Sequence, residues 1–250
     1  MTYLRAAVLG STLVLGSSAV CFGQPVEGSF ERTLKVSGEL TLEVAAGSGR
    51  IDVHTGASDT VIVQGRIRAG DHWFTSDSPA DRVHRIEQNP PIEQSGNSIR
   101  VGRTNDADYN NVSISYDITV PAATELRAST GSGAIRAEGI RGAARVTTGS
   151  GSIELGGIGG AMEARAGSGS IQVRGLGAGI AAHTGSGSVT LQLTPAAAFE
   201  LAASTGSGGI DVNHPMTMQG QLNRHRVKAT VRGGGPLVDV STGSGSVKIN

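Results

Sequence analysis

Gly131-Ser132-Gly133-Ala134-Ile135 returns 18 residues later as Gly149-Ser150-Gly151-Ser152-Ile153. It returns again as Gly167-Ser168-Gly169-Ser170-Ile171 and as Gly185-Ser186-Gly187-Ser188-Val189, each at the same interval. Looser copies follow at Gly206-Ser207-Gly208 and Gly243-Ser244-Gly245, and an outlier precedes them at Gly47-Ser48-Gly49. A fixed period of this length marks a stacked, quasi-one-dimensional architecture, in which no unit buries its apolar face alone. The chain holds 38 glycines in 250 residues. Scattered, they would suggest a flexible polymer; periodic and interleaved with Ile and Val, they read as ordered turns.

Each unit decomposes into two short strands and two turns. Ile153-Glu154-Leu155 alternates apolar and polar residues, which is strand periodicity. The triplet recurs as Ile51-Asp52-Val53, Ile135-Arg136-Ala137, Ile171-Gln172-Val173, Val189-Thr190-Leu191, Ile210-Asp211-Val212 and Val247-Lys248-Ile249. A glycine turn such as Gly157-Ile158-Gly159-Gly160 follows, then a second alternating strand such as Met162-Glu163-Ala164-Arg165-Ala166. The expected fold is all-β: a parallel β-solenoid, a single-stranded β-helix with coils of about 18 residues and right-handed winding favoured. A triangular left-handed helix of three hexapeptides fits the length of the coil but not its internal spacing. An antiparallel sandwich fits the alternation but not the period.

Residues 24–120 use the same grammar less regularly, and residues 121–250 form the regular array of one elongated domain. Ser78-Pro79-Ala80-Asp81 signals a helix start, and Asn89-Pro90-Pro91 its end, so one short helix is expected near 79–88. Arg224 to Val231 reads as a coil whose Gly-Ser-Gly turn was replaced. The chain closes on Val247-Lys248-Ile249-Asn250, a strand that would be an open pairing edge unless capped.

Residues 1–23 read as a secretory signal peptide. Arg5 gives the positive start, Ala6 to Leu15 a short apolar run, and small residues lead to Gly23, favoured over Ala19 as the cleavage point. Cys21, the single cysteine, falls inside this segment. Val20 before it is wrong for lipid attachment, and a mature chain from residue 24 carries no thiol. Localisation is therefore expected to be exported: periplasmic, cell-surface or secreted. Charge is balanced at 21 basic and 21 acidic residues, so no nucleic-acid partner is expected, and peripheral membrane contact or none.

No residue pattern nominates a catalytic centre, a metal site or a cofactor. The Gly-Ser-Gly turns lack the following helix and lysine of a phosphate loop. They carry Ser where a calcium-binding β-roll carries Asp. Stacking would align Thr130, Thr148, Thr184, Thr205 and Thr242 in a ladder interrupted by Ala166; its hydroxyls either satisfy turn backbone groups or form a flat ice-binding array. The six histidines lack ligand spacing. Gly131, Gly133, Gly149, Gly151, Gly167, Gly169, Gly185, Gly187, Gly206, Gly208, Gly243 and Gly245 are structural turn positions. The least repeat-like stretch, Asp71-His72-Trp73-Phe74 and the helix after it, offers Trp73, Arg82 and His84 as ligand-binding candidates. The alternative role for Trp73 and Phe74 is to plug the core against the helix.

Leu42-Glu43-Val44 leading to Gly49-Arg50-Ile51-Asp52-Val53, then Ile118-Thr119-Val120-Pro121 and the train of Thr-Gly-Ser-Gly-Ser-Ile turns, resembles a bacterial family of exported β-strand-repeat proteins. That family is described as candidate adhesins with a domain of unknown function. The resemblance implies a β-solenoid at the cell envelope and brings no catalytic residues with it. The expected function is a non-enzymatic adhesin or surface-binding scaffold whose partner is an envelope component or glycan. Self-association through terminal strands is a further expectation. The alternative is a carbohydrate-active β-helix enzyme, a lyase or hydrolase, with acids converging near Asp71 to Glu93 or Arg224 to Lys228.

Overall fold

A computed structural model of the chain describes residues 25–70, 78–102, 109, 111–218 and 224–250. The signal segment, Cys21 and Trp73 lie outside the described residues. The first part of the chain forms β1 (Val26–Lys35), β2 (Leu40–Ala46), β3 (Ile51–Thr55), β4 (Thr60–Ala69), the helix α1 (Pro79–Gln88), β5 (Ile92–Ser95), β6 (Ser98–Val101) and β7 (Val112–Val120). The regular array follows as β8 (Thr124–Thr130), β9 (Ile135–Glu138), β10 (Ala144–Ser150), β11 (Ile153–Gly156), β12 (Met162–Ser168), β13 (Ile171–Arg174), β14 (Ile180–Ser186) and β15 (Val189–Gln192). The last part gives β16 (Phe199–Ser207), β17 (Ile210–Val212), β18 (Met216–Met218), β19 (Arg226–Val231), β20 (Leu237–Ser244) and β21 (Val247–Ile249).

The strands build two large, mostly parallel sheets facing each other across one core. The first sheet runs β1-β4-β7-β3-β9-β11-β13-β15-β21-β17; the second runs β18-β19-β16-β20-β14-β12-β10-β8-β2-β6-β5. Within the array each coil crosses from the second sheet to the first through a Gly-Ser-Gly turn and returns through the other turn. Partners in neighbouring coils are Ile135↔Ile153↔Ile171↔Val189 in one sheet and Leu126↔Ala144↔Met162↔Ile180 in the other. Period-2 alternation sends these residues into the space between the sheets, where Ile135, Ile153, Ile171 and Val189 are buried. Two strands per coil, rather than three, exclude the triangular hexapeptide arrangement.

The order of coils in the stack departs from the order in the chain at both ends. The coil of β2 and β3 is inserted between β6–β7 and β8–β9, so the outlying Gly47-Ser48-Gly49 turn is a full member of the column beside Gly131-Ser132-Gly133. The coil of β20 and β21 is likewise inserted between β14–β15 and β16–β17. This corrects the expectation of an open edge at Val247–Ile249, because that strand is paired on both sides. The physical reason lies in the connection after β15. The equivalent core positions Val173 and Ile180 are seven residues apart, whereas Leu191 and Leu201 are ten apart. Three more residues reach roughly 10 Å when extended. One additional strand level needs about 4.8 Å.

Arg226–Val231 is also corrected. It is no coil: it pairs antiparallel with β16 and with β18, closing one end of the second sheet. Antiparallel pairing likewise closes the opposite end, where β1 runs against β4 and β4 against β7, and β5 against β6. The ten-residue edge strand β1 is covered by α1. Ser29 N donates to Glu87 Oε1 at 2.8 Å, and Arg32 donates to the carbonyls of Glu87 and Gln88 at 3.3 Å. Occupied edge groups of this kind keep an edge strand from templating another chain. The helix begins as its sequence dictates, with Ser78 Oγ accepting from Asp81 N at 3.1 Å and Pro79 in the first turn. Val83 and Ile86 face the sheet.

Candidate functional site

The structure does not bring Arg82 and His84 onto one surface. Arg82 is only 2% exposed and points inward, donating to the Gly70 carbonyl at 3.0 Å, which ties the helix to the end of β4. His84 is exposed, with its Nε2 at 2.9 Å from Gln88 Nε2 and its Nδ1 at 3.8 Å from Glu87.

The Gly-Ser-Gly turns form a continuous column. A Cβ added to Gly131, Gly149, Gly167, Gly185, Gly206 or Gly243 would lie 2.5–2.6 Å from the carbonyl oxygen of the neighbouring turn. The second glycines, Gly133, Gly151, Gly169, Gly187, Gly208 and Gly245, lie closer still to theirs. Glycine is needed here for close backbone approach. Backbone bonds link turn to turn, as in Ser150 N to Gly131 O at 3.0 Å and Gly169 N to Ser186 O at 2.9 Å. Thr130, Thr148, Thr184, Thr242 and Thr205 are buried, and each hydroxyl donates to a glycine carbonyl of the adjacent coil at 2.8–3.1 Å. A ladder that faces inward and bonds to backbone offers no hydroxyl array to water or ice. The turn column is therefore architecture.

A polar cleft of about 910 Å³ lies on the outer face of the first sheet, where β1, β4, β7 and β3 meet. Register builds it in rows. Glu27, Arg68 and Ser113 align in one row, Ser29, Arg66 and Ser115 in the next, and Glu31, Gln64, Asp117 and Asp52 in the third. The turn at 47–50 closes one side: Ser113 Oγ donates to the Ser48 carbonyl, and Arg50 N donates to Ser115 Oγ at 3.3 Å. Beneath the floor, the absence of a side chain at Gly65 leaves room for the Phe30 ring, which meets Tyr116 edge-on at 6.5 Å. Burial pushes the Tyr116 phenol well above its usual range, so it stays protonated.

Most charges in the cleft are paired. Arg68 Nε lies 2.9 Å from Glu27, Arg50 lies 3.9 Å from Asp52, and His54 Nδ1 lies 3.4 Å from Asp117. Arg66 is exposed and has no ion-pair partner among the described residues. Asp52 has its pKa raised, chiefly by burial and further by the adjacent Asp117, against the lowering effect of Arg50. The cleft thus offers guanidinium and hydroxyl donors beside carboxylate acceptors, on a face open to solvent. That set suits a polyhydroxylated or carboxylated ligand. Among the described residues, no group of three or more His, Cys, Asp or Glu is placed to hold a metal ion. Among those residues, too, no helix is long and apolar enough to cross a membrane.

Arg50, Asp52, Arg66 and Asp117 were missed by the sequence reading because they come from β3 and the turn before it, β4 and β7, which are brought together only by the antiparallel pairing of β4 with β7 and the parallel pairing of β3 with β7. The alternation of Gln64, Arg66 and Arg68 in one strand was the available signal: it places three long polar side chains on one face.

Comparison with known proteins bears on architecture. A family model described as Toastrack DUF4097 matches residues 33–250. A solved structure of a candidate cell adhesion protein from Clostridium sporogenes is 16% identical with a TM-score of 0.50, over 90% of this chain and 99% of that one. A candidate adhesin from Bacteroides fragilis is 13% identical with a TM-score of 0.35, over 91% of this chain and 99% of that one. One from Parabacteroides distasonis is 10% identical with a TM-score of 0.27, over 89% and 97%. No curated protein matches the chain.

Proposed function

The chain belongs to the Toastrack DUF4097 family, and from that premise we propose that it is an exported, non-enzymatic β-solenoid of the bacterial cell envelope. It acts as an adhesin or surface-binding scaffold, with coils of about 18 residues wound right-handed. Its ligand is an envelope glycan, held in the polar cleft between β1 and β3. The observation that carries this reading is Arg66, an exposed guanidinium without an ion-pair partner among the described residues, flanked in register by Ser29 and Ser115 in the middle of the cleft. An unengaged Arg between hydroxyls is a ready donor to sugar oxygens or a sugar carboxylate.

A glycan array and an envelope-fraction pull-down with the full chain test this, beside Arg66→Ala and Trp73→Ala variants. Capture that weakens by roughly tenfold or more in Arg66→Ala, about 1.4 kcal/mol, supports the cleft. Capture unchanged by Arg66→Ala and lost in Trp73→Ala moves the site to the 71–74 segment, and capture by none of the three overturns the binding reading.

A second reading, a carbohydrate-active enzyme, is favoured by one observation: the half-buried Asp52 with a raised pKa, in register with Asp117. A polysaccharide-cleavage screen decides it. Cleavage abolished by Asp52→Asn establishes the enzyme; no cleavage by the unmodified chain leaves the scaffold.

A further inference from the structure

We propose that the C-terminal coil, residues 237–250, exchanges between copies of this chain, so that the slot holding it accepts the same coil of a second copy. The slot is built by the fold. The connection between β15 and β16 places their coils two levels apart, as the ten-residue separation of Leu191 and Leu201 allows. Without an occupant, β14 and β15 on one side and β16 and β17 on the other would each present an unpaired edge. Unpaired parallel edges recruit a strand.

The slot is selective. Thr242 Oγ1 donates to the Gly187 carbonyl at 2.8 Å, and Thr205 Oγ1 donates to the Gly245 carbonyl at 2.9 Å. Gly243 passes so near the Gly185 carbonyl that a Cβ would be 2.6 Å from its oxygen. Val238, Val240, Val247 and Ile249 are fully buried between the sheets. An occupant must therefore be a strand, a Thr-Gly-Ser-Gly turn and a second strand with apolar alternate positions, which is the description of this chain's own last coil.

The coil is joined to the rest of the chain through Arg232-Gly233-Gly234-Gly235-Pro236. Arg232 holds a φ of 48°, a left-handed conformation costly for a residue with a Cβ that a straightened connection would relieve, while Gly233 and Gly234, at a φ of 86° each, turn without strain. Exchange replaces every contact in the slot by an identical one in the partner. The balance is then set by concentration and by the connection, the usual condition for domain swapping.

Two single-cysteine variants test it, Ala181→Cys and Asp239→Cys, each in a Cys21→Ser background. Ala181 and Asp239 are register partners on the outer face of β14 and β20. Copies of the two variants, mixed at increasing concentration and then oxidised, form a disulfide-linked heterodimer only where one copy's coil occupies the other's slot. The control mixes Asp239→Cys with Ser129→Cys, an exposed position on β8. The expected result is severalfold more linked dimer from the first mixture, rising with concentration. The Ala181→Cys/Asp239→Cys double variant, oxidised in dilute solution, locks the coil in its own chain and gives monomer that no longer exchanges. Equal yields from the two mixtures overturn the proposal.

Discussion

At the scale of single residues, the column of turns is governed by how near one backbone passes another. Gly149→Ala places a methyl group 2.5 Å from the Gly131 carbonyl oxygen, whereas a Cβ at Gly47 meets nothing within 4 Å. Thermal or urea unfolding should therefore show Gly149→Ala destabilised by about 2 kcal/mol or more. Gly47→Ala should stay within about 0.5 kcal/mol. Similar losses in both variants would contradict the role of close backbone approach in the column. The threonine ladder makes the complementary prediction. Ala166 occupies the one array position where a threonine is missing, between Thr148 and Thr184 in register. Ala166→Thr gives a hydroxyl placed to donate to the Gly151 carbonyl and should stabilise by about 1 kcal/mol. Thr148→Val leaves the Gly133 carbonyl without its hydroxyl and should cost about 1–2 kcal/mol. A neutral Ala166→Thr variant would contradict the bonding role assigned to the ladder.

At the scale of elements, charges face outward in rows across the strands. Arg136 lies beside Glu154 at 3.0 Å, and Arg145 beside Glu163 at 2.6 Å. The hydrogen bond from Arg145 holds the Glu163 carboxyl below its usual pKa, with Arg165 adding to the effect. A carboxylate with a depressed folded-state pKa stabilises the fold above its unfolded value and loses that contribution as pH falls through the folded value. An NMR titration should find Glu163 below 4.5, and Arg145→Ala should return it toward that value while flattening the dependence of stability on acid pH. A Glu163 midpoint unmoved by the substitution would contradict the pairing. These elements were largely legible in the sequence. Ser78, Pro79 and the Asn89-Pro90-Pro91 stop placed the helix, and Ile-x-Val alternation placed the strands of the array. Arg226–Val231 was misread because its alternation fits a parallel or an antiparallel neighbour equally, and only the pairing partner distinguishes them.

At the scale of the whole molecule, the period reveals the stack but not its order. The relevant signals were the interval of 21 rather than 18 between Gly185 and Gly206, and that of 37 between Gly206 and Gly243. The first marks a connection long enough to skip a level; the second leaves room for the antiparallel excursion before the chain returns to fill it. The cleft was less legible, since its rows exist only once β1, β4, β7 and β3 lie side by side. The same insertion at both ends leaves the regular coils in the middle and the proposed binding cleft beside the N-terminal insertion.

The central claim is that the last coil closes the stack from within. Amide hydrogen exchange, read by mass spectrometry in dilute solution, tests it most directly. Val247 N donates to the Gly209 carbonyl and Asn250 N to the Leu191 carbonyl, so both faces of the final strand are engaged. Residues 237–250 should exchange as slowly as residues 171–174 in the centre of the array, despite lying at the end of the chain. Exchange of 237–250 at the rate of a frayed terminus, with 171–174 still protected, would contradict the inserted coil and return the molecule to a simple sequential stack.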